Sequence, residues 1–585
     1  MDIVSWSFQN RAYPQDNPVR ATPTITTIRQ HTYSLQLYID PSDSTRSLSA
    51  AEIRTHVRQL VSGLKQHGLK TNDCVCVVSL NDIYYTSLFL GIIGAGGCFT
   101  GANPGYTAHE LVHHLRITQA KFLLTSPKTL DAALAAANSC GIPQSNIFVL
   151  NFHNEDVPAN QQSWDQLLVC GEQDWEQVNH PDNTPAAYVS TSGTSGLPKA
   201  AVISHSYLVS QAEFQLKTSD VEYNISTLVS IPPFHVFTIP VQHPLPLRKG
   251  IPAYIMPRFE TGQFLDAIEK FQIPHIIVVP PLLMTLAQAA NNSQLMSIKR
   301  IYVGGSCATD GMQQQLYAKL PPLARIEQVY GMTEVGWATT TWQDRRRDGT
   351  GSVGHPIPGT KIVDRDGRII TEEDVKGEIH IHCTHPMMGY LNNHAATSAA
   401  FSQDGWVRTG DVGFVRDKKW YVVDRTKDLI KVRGWQVSPV EIEVTLQEHD
   451  LVADAAVIGV AGKDGTEEVP VAFVVKAQDS LQEEDIKTFL GKRLARYKGV
   501  DRVIFVDSIP RNPTGKILRR VLRDSRGESK VIGCQAAVTA YSTAIKDLDK
   551  YNQERYRKIQ LNGYNNPLLY SSPPSGSTFN VVVLE

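Results

Sequence analysis

Tyr188–His205 reads YVSTSGTSGLPKAAVISH, and the organisation of the chain is read outward from it. An apolar strand start runs into a loop of serine, threonine and glycine with one lysine, and a helical pattern follows. Gly193 and Gly196 allow close backbone approach, Ser192, Thr194 and Ser195 offer hydroxyl donors, and Lys199 adds positive charge. Such a set can wrap the β- and γ-phosphates of a nucleotide. It is not the GxxxxGK[ST] loop, because Leu197 and Pro198 separate the last glycine from the lysine. A flexible polar linker shares this composition; the lysine is what favours a phosphate site.

On both sides of this segment, helical and strand patterns alternate. Residues 50–170 include AAEIRTHVRQLVSGLKQHG at helical spacing, the strand-like CVCVVSL, and LVHHLRITQAKFLLTS running from helix into strand. A second series follows residue 190, with TLVSIPPF, TGQFLDAIEKFQ and HIIVVPP. Alternation of this kind predicts α/β layers with buried, mostly parallel strands. From Gly351 the pattern changes to short strands broken by Gly and Asp turns, which suits a small barrel or a meander of hairpins. After Asp424 a compact α/β unit is expected, with helices at SPVEIEVTLQEH and EEDIKTFLGKRLA and strands at AAVIGV and PVAFVVK. Beyond about Asp524 a polar helix candidate precedes a stretch of disordered composition.

The length of 585 residues implies two or three domains and a tail. With 42% hydrophobic and 19% charged residues and a net charge of −2, the bulk electrostatics favour neither nucleic acid nor an anionic membrane. The longest small-and-apolar run, Ser87–Phe99, falls short of the roughly 20 residues a spanning helix needs and reads as a buried helix. The chain starts without a basic leader and ends VVVLE rather than in an SKL-type signal, so a cytoplasmic location is expected. Eight scattered cysteines without a CxxC pair suit a reducing compartment.

Three further segments carry chemistry. In RIEQVYGMTEVGW (Arg325–Trp337), Thr333 and Glu334 place a hydroxyl beside a carboxylate, a pair that can serve a phosphoryl oxygen and Mg²⁺. In TGDVG, Asp411 follows a strand, where a carboxylate can accept two ribose hydroxyls. In IPRNPTGKILRR, Lys516 sits on a Pro/Gly loop before a basic helix. Any one of these could be an ordinary solvated turn.

Taken together and in order, the four segments resemble the adenylate-forming superfamily of acyl-CoA synthetases, adenylation domains and luciferases, in its coumarate–CoA ligase-like branch. GANPGYTAHEL at 101, PPFHVFT at 232, GSVGHPIPG at 351 and YKGVDRVIFVDSIPRNPTGKILRR at 497 support the match, which covers roughly residues 40–525. The resemblance implies a large N-terminal domain (1–423) of two α/β sheet subdomains and a distorted β-barrel. A small mobile α+β domain (424–526) and a C-terminal extension (527–585) complete the expected architecture.

The same resemblance implies activation of a small organic, aryl or short-chain acid by ATP, followed by transfer to coenzyme A. The loop Thr191–Lys199 would close over the phosphates, Thr333 would contact the α-phosphate, and Glu334 would bind Mg²⁺. Asp411 would hold the ribose, with Arg425 orienting it. Gln328, Gly305, Ser306, Tyr330 and Gly331 would frame the base. Lys516 would bridge the acid and the nucleotide, and Lys427 would be the hinge. Lys431 and Gly434 would face the thiol step, with His235 as the gate to its tunnel. Val303, Gly304, Val329 and Trp337 would line the acid pocket.

Relatives usually carry Thr and Gly where Ser195 and Ala200 stand, and a smaller residue where Trp337 stands, so a shortened acid pocket is expected. The tail has no counterpart in the family. A carrier protein as acyl acceptor, and a non-catalytic nucleotide-binding protein on the same scaffold, remain as alternative functions. His380, His382, Cys383 and His385 form HxHCxxH, which reads as a structural strand rather than a zinc site. GAGG at Gly94 lacks the third glycine of a dinucleotide fingerprint.

Overall fold

The structure is a computed structural model that describes residues 1–9, 35–191, 198–218, 224–291, 293–305, 308, 310–340, 347–425, 428–432, 435–461, 468–494, 496–512 and 515–524. Met1–Arg523 forms one compact unit; a second begins at Asp524, and the sequence beyond that residue, including the polar helix candidate, lies outside the described residues.

Two large sheets carry the N-terminal part. The first has eight strands, ordered Gly389–Tyr390, Lys199–Ser204, Pro185–Thr191, Cys98–Ala102, Cys74–Val78, Ala120–Thr125, Ile147–Val149 and Gln162–Ser163. Its strands are parallel from Pro185–Thr191 onward. The second has seven, ordered Arg325–Val329, Arg300–Gly304, His275–Val278, Thr227–Val229, Ala253–Ile255, Gln36–Ile39 and Ser47–Ser49, all parallel except the last pair.

Cys74–Val78 is buried at all five positions, as expected for a strand covered on both faces. Its alternation decides the layering. Val75 and Val77 join the core that both sheets share, whereas Cys74, Cys76 and Val78 pack on the opposite face under the helices Ala108–Thr118 and Leu130–Cys140.

The shared core contains the helix Ala50–Gln66, whose Ile53, Val57, Leu60, Val61 and Leu64 form one apolar stripe. A capping box starts it: Ser49 Oγ accepts from Glu52 N, and Glu52 Oε2 accepts from Ser49 N at 2.8 Å. The apolar run near residue 90 becomes the fully buried helix Tyr85–Gly94 and the strand Cys98–Ala102. Among the described residues no helix is long and apolar enough to cross a membrane.

The region after Gly351 forms a four-stranded antiparallel sheet, Thr360–Val363, Gly377–Ile381, Val407–Arg416 and Lys419–Arg425. Where a distorted barrel was expected, this ladder runs open from its first strand to its last among the described residues. The C-terminal part of the unit has the strands Val452–Ala461, Glu468–Lys476 and Arg502–Phe505 with the helices Pro439–Gln447 and Glu483–Gly491. Arg519 Nη2 reaches Glu443 Oε2 at 3.0 Å, tying the short helix Arg519–Asp524 to the helix Pro439–Gln447.

Candidate active site

The opening segment departs from expectation in one respect. The chain does not pass from the loop directly into a helix. Lys199–Ser204 is a strand antiparallel to Pro185–Thr191, with Thr191 opposite Lys199, and the helix begins only at His205. Val202 and Ile203, β-branched, favour the extended form. The candidate loop is therefore a hairpin connection. Its residues Ser192, Gly193, Thr194, Ser195 and Gly196 lie outside the described residues.

From the hairpin's far side, Lys199 sets its ammonium over the Tyr390 ring, 4.9 Å from the centroid. Tyr390 belongs to the edge strand Gly389–Tyr390, which pairs with Lys199–Ser204. Its hydroxyl donates to Glu334 Oε1 at 2.5 Å. Glu334 and Thr333 are both buried in the turn between the paired strands Gly331–Met332 and Gly336–Trp337. That turn is held from behind: Tyr207 donates to the Thr333 carbonyl at 3.0 Å, and Gln211 Nε2 donates to the Val335 carbonyl at 3.2 Å. Tyr390 carried no signal in the sequence reading; it links the lysine of the loop to the carboxylate expected to bind magnesium.

Asp411, expected in a turn after a strand, lies within the strand Val407–Arg416; it is buried, takes the Tyr330 hydroxyl on Oδ2 at 2.8 Å, and donates its own backbone N–H to Thr409 Oγ1 at 3.0 Å. In the register it stands opposite Arg425, whose side chain lies outside the described residues. Gln328 spends both ends of its amide on backbone: Oε1 accepts from Ala308 N and Nε2 donates to the Ser352 carbonyl, each at 2.9 Å. Ser352 Oγ in turn donates to Asp348 Oδ2 at 2.7 Å, where Lys419 Nζ also lands at 2.9 Å. Burial would raise the Asp348 carboxyl, but the bonds from Thr350, Lys419 and Ser352 prevail and hold it down at about 2. Gln328 thus braces the loop after Gly305, and Asp348 braces Gln328. Ser306 lies outside the described residues.

The acid-pocket expectation is corrected at one position. In the strand Arg300–Gly304, Val303 turns toward the outer core with Leu283 and Leu286, while Tyr302 turns inward with Val329, Phe237 and Trp337. Side chains alternate along a strand, so Tyr302 and Val303 cannot share a face. Trp337 lies 5.1 Å from Phe237 and 5.8 Å from Tyr302, ring centre to ring centre. A Cβ at Gly304 would stand 3.0 Å from the Phe237 ring, so any larger residue there would have to push that ring aside. Phe237 and Tyr302 were absent from the residues expected for this wall.

Phe237 is tied to His235 through its backbone N–H, which donates to His235 Nδ1 at 3.2 Å. The neutral imidazole therefore carries its proton on Nε2. Enclosure by its neighbours, and then the charge of Lys516, lower His235 to about 4. Lys516 is carried on a turn in which its backbone N–H donates to Asn512 Oδ1 at 2.8 Å. Gly515, at φ +77°, lies against Pro281 at the start of the helix Pro280–Ala289. His235, within reach of the Lys516 charge, is thus joined through Phe237 to Trp337 and Tyr302.

Lys427 and Gly434 lie outside the described residues, and of Lys431 only the backbone, in the strand Ile430–Val432, is described. The HxHCxxH residues disperse: His380 faces Glu378 at 3.6 Å, His382 packs on Trp406, and His385 faces Asp182 at 3.5 Å. No metal-holding cluster of His, Cys, Asp or Glu occurs among the described residues.

Comparison with known proteins identifies the family. Residues 27–391 match the AMP-binding enzyme family, and residues 441–516 match the AMP-binding enzyme C-terminal domain. The chain is 40% identical over 541 residues to phenylacetyl-CoA ligase epaB of Aspergillus niger, covering 90% of this chain and 97% of that one. It is 34% identical over 550 residues to nicotinic acid-CoA ligase olcI of Penicillium canescens, covering 88% and 96%. In fold it is similar to a benzoate CoA ligase from Burkholderia xenovorans LB400, with a TM-score of 0.74, 22% identity, and coverage of 89% and 100%. The chain belongs to the AMP-binding enzyme family of adenylate-forming acid–thiol ligases.

Proposed function

We propose that this ligase activates an aryl or short- to medium-chain carboxylic acid as its acyl-adenylate and passes the acyl group to coenzyme A, in secondary metabolite biosynthesis. The observation that carries the choice of acid is the aromatic wall of Phe237, Trp337 and Tyr302 beside His235 and Lys516. Flat, rigid walls suit a ring or a short chain and leave little room for a long flexible tail. The names of the two fungal relatives, a phenylacetyl-CoA ligase and a nicotinic acid-CoA ligase, support an aryl acid and coenzyme A over a carrier protein.

A carboxylate is a poor electrophile, because attack on it must expel oxide; joined to AMP it acquires a good leaving group. Lys516 is assigned to neutralise the charge that builds as the carboxylate attacks the α-phosphate. Thr333 is assigned to the α-phosphate, the Thr191–Lys199 hairpin to the outer phosphates, and Asp411 to the ribose. Glu334 fits Mg²⁺, an ion that prefers oxygen ligands, since its carboxylate is buried and oriented by Tyr390. When bound, the ion would draw charge off the triphosphate. His235, neutral at physiological pH, adds no charge to the acid's path.

A hinge at Lys427 between domains 1–423 and 424–526 would let one cleft serve both half-reactions, with Lys431 and Gly434 facing the thiol step and 527–585 as an extension. Its support is the pair of separate family matches and the Asp424–Ser438 contact at 2.8 Å, which frames the junction. The six described cysteines are all free, which suits a reducing compartment such as the cytoplasm.

The test is a panel of acids assayed for pyrophosphate release with ATP and Mg²⁺, with the thioester identified by mass after adding coenzyme A. Aryl and short-chain acids should give both products. Equal rates with long-chain fatty acids, or no acid-dependent release at all, would contradict the reading.

A further inference from the structure

Trp337 is fixed from its own backbone outward. Gln211 Oε1 accepts its N–H at 2.8 Å, while the other end of the same amide holds the Val335 carbonyl. Its ring is buried against Phe237 and Tyr302. Yet the indole Nε1–H, itself buried, meets no acceptor among the described residues. Buried donors are nearly always paired, so this one calls for an acceptor, which a ligand atom can supply.

A second observation lies one helical turn away. Gln215, four residues after Gln211, lines a cavity with Thr227, Val241, His275 and Tyr302, with room for a water-sized group. Tyr302 belongs both to this cavity and to the wall that Trp337 completes, so the two adjoin on one sheet face. Among the described residues the lining carries no Asp, Glu, Lys or Arg. Its one imidazole, His275, is lowered to about 3 by burial and by Arg300 and Arg325, and is neutral at pH 7. The space is small, lined mostly by apolar side chains with Gln215, Thr227, His275 and Tyr302 among them, and without formal charge.

We infer that the acid carries an uncharged hydrogen-bond acceptor, such as a ring nitrogen, a hydroxyl or a carbonyl, at the end away from its carboxylate, and that the Trp337 indole N–H receives it. The inference rests on the reading that Trp337 walls the acid pocket. A purely hydrocarbon acid leaves the donor orphaned in the complex; an acceptor-bearing acid pairs it. A site built to pair a substrate group discriminates strongly against the analogue that lacks it.

The experiment compares kcat/KM for pyrophosphate release within matched pairs: benzoate against nicotinate, and phenylacetate against its 2-, 3- and 4-hydroxy derivatives. In the wild-type enzyme at least one acceptor-bearing acid should exceed its parent by about tenfold or more. Trp337→Phe, with its fold checked by thermal unfolding, should bring that ratio to within about twofold of unity. Parity of every pair in the wild-type enzyme, or a preference that survives in Trp337→Phe, overturns the inference while leaving the adenylation reading intact. Turnover of none of these acids overturns both. Should Trp337→Phe fail to fold, Trp337→Leu, which also lacks a donor, takes its place, and the ratios are read in the same way.

Discussion

The ammonium of Lys516 lies near enough to His235 that its charge, added to enclosure, holds the imidazole at about 4. The two residues are 281 positions apart in sequence. The lysine turn is braced by Asn512 and by Gly515 against Pro281. Neighbouring observations extend from this pair.

Tyr390 connects Lys199 with Glu334, the two sides of the proposed phosphate site, so the two halves should be separable. Tyr390→Phe keeps the ring under Lys199 and removes the bond to Glu334. The Mg²⁺ concentration needed for half-maximal activity should rise about three- to tenfold, the scale of one charge-assisted hydrogen bond. Binding of ATP without metal, followed by calorimetry, should change little. Tyr390→Leu also removes the ring and should weaken metal-free ATP binding as well. Identical Mg²⁺ titrations for wild type and Tyr390→Phe would remove Tyr390 from this role.

Asp348 contacts no expected ligand, yet it ends the series Ser352–Gln328–Ala308 that braces the segment expected to frame the base. Asp348→Ala should raise KM for ATP about tenfold and leave KM for the acid within about twofold, because the brace acts on the nucleotide side alone. Steady-state kinetics with each substrate varied in turn checks this. A proportional loss in both would indicate general unfolding.

Acid should destabilise the protein early. His114, His205 and His243 are buried and lowered to about 4, and His275 to about 3, in each case chiefly by burial. An unfolded histidine takes a proton near pH 6.5, so between 6.5 and 4 the unfolded chain binds protons that the folded chain refuses. The stability is complete above about pH 6.5 and is lost as pH falls toward 4, by up to roughly 3 kcal/mol for each histidine. Urea midpoints at pH 7.5, 6 and 5 should fall progressively. A midpoint constant down to pH 5 would contradict the buried neutral state.

What could be read from the sequence follows from locality. Asp411, Glu334 and Lys516 sit in short segments whose order along the chain, more than any one of them, suggests the roles proposed for them. The helix Ala50–Gln66 and the buried strand Cys74–Val78 follow from their apolar spacing. Tyr390 escaped because its meaning depends on pairing with Lys199–Ser204, some 190 positions earlier. Val303 was expected beside Val329 and Trp337, where Tyr302 stands, because the segment was matched without its strand parity, which its place between His275–Val278 and Arg325–Val329 fixes. The strand Lys199–Ser204 was taken for the start of a helix because so short an apolar span suits either form; the helix begins only after Ser204, whose Oγ accepts from Tyr207 N at 3.1 Å. The bracing of Gln328 by Asp348 joins segments 20 residues apart through side chains, a relation that no local spacing records.

The most direct test of the account is Lys516→Ala assayed on the two half-reactions separately. Acid-dependent pyrophosphate release should fall by about 10²–10³, the usual effect of removing a preorganised charge stabiliser, while thioester formation from supplied acyl-adenylate and coenzyme A should stay within a fewfold of wild type. Unchanged pyrophosphate release in the variant would contradict the assignment of Lys516, and with it the chemistry assigned to this cleft.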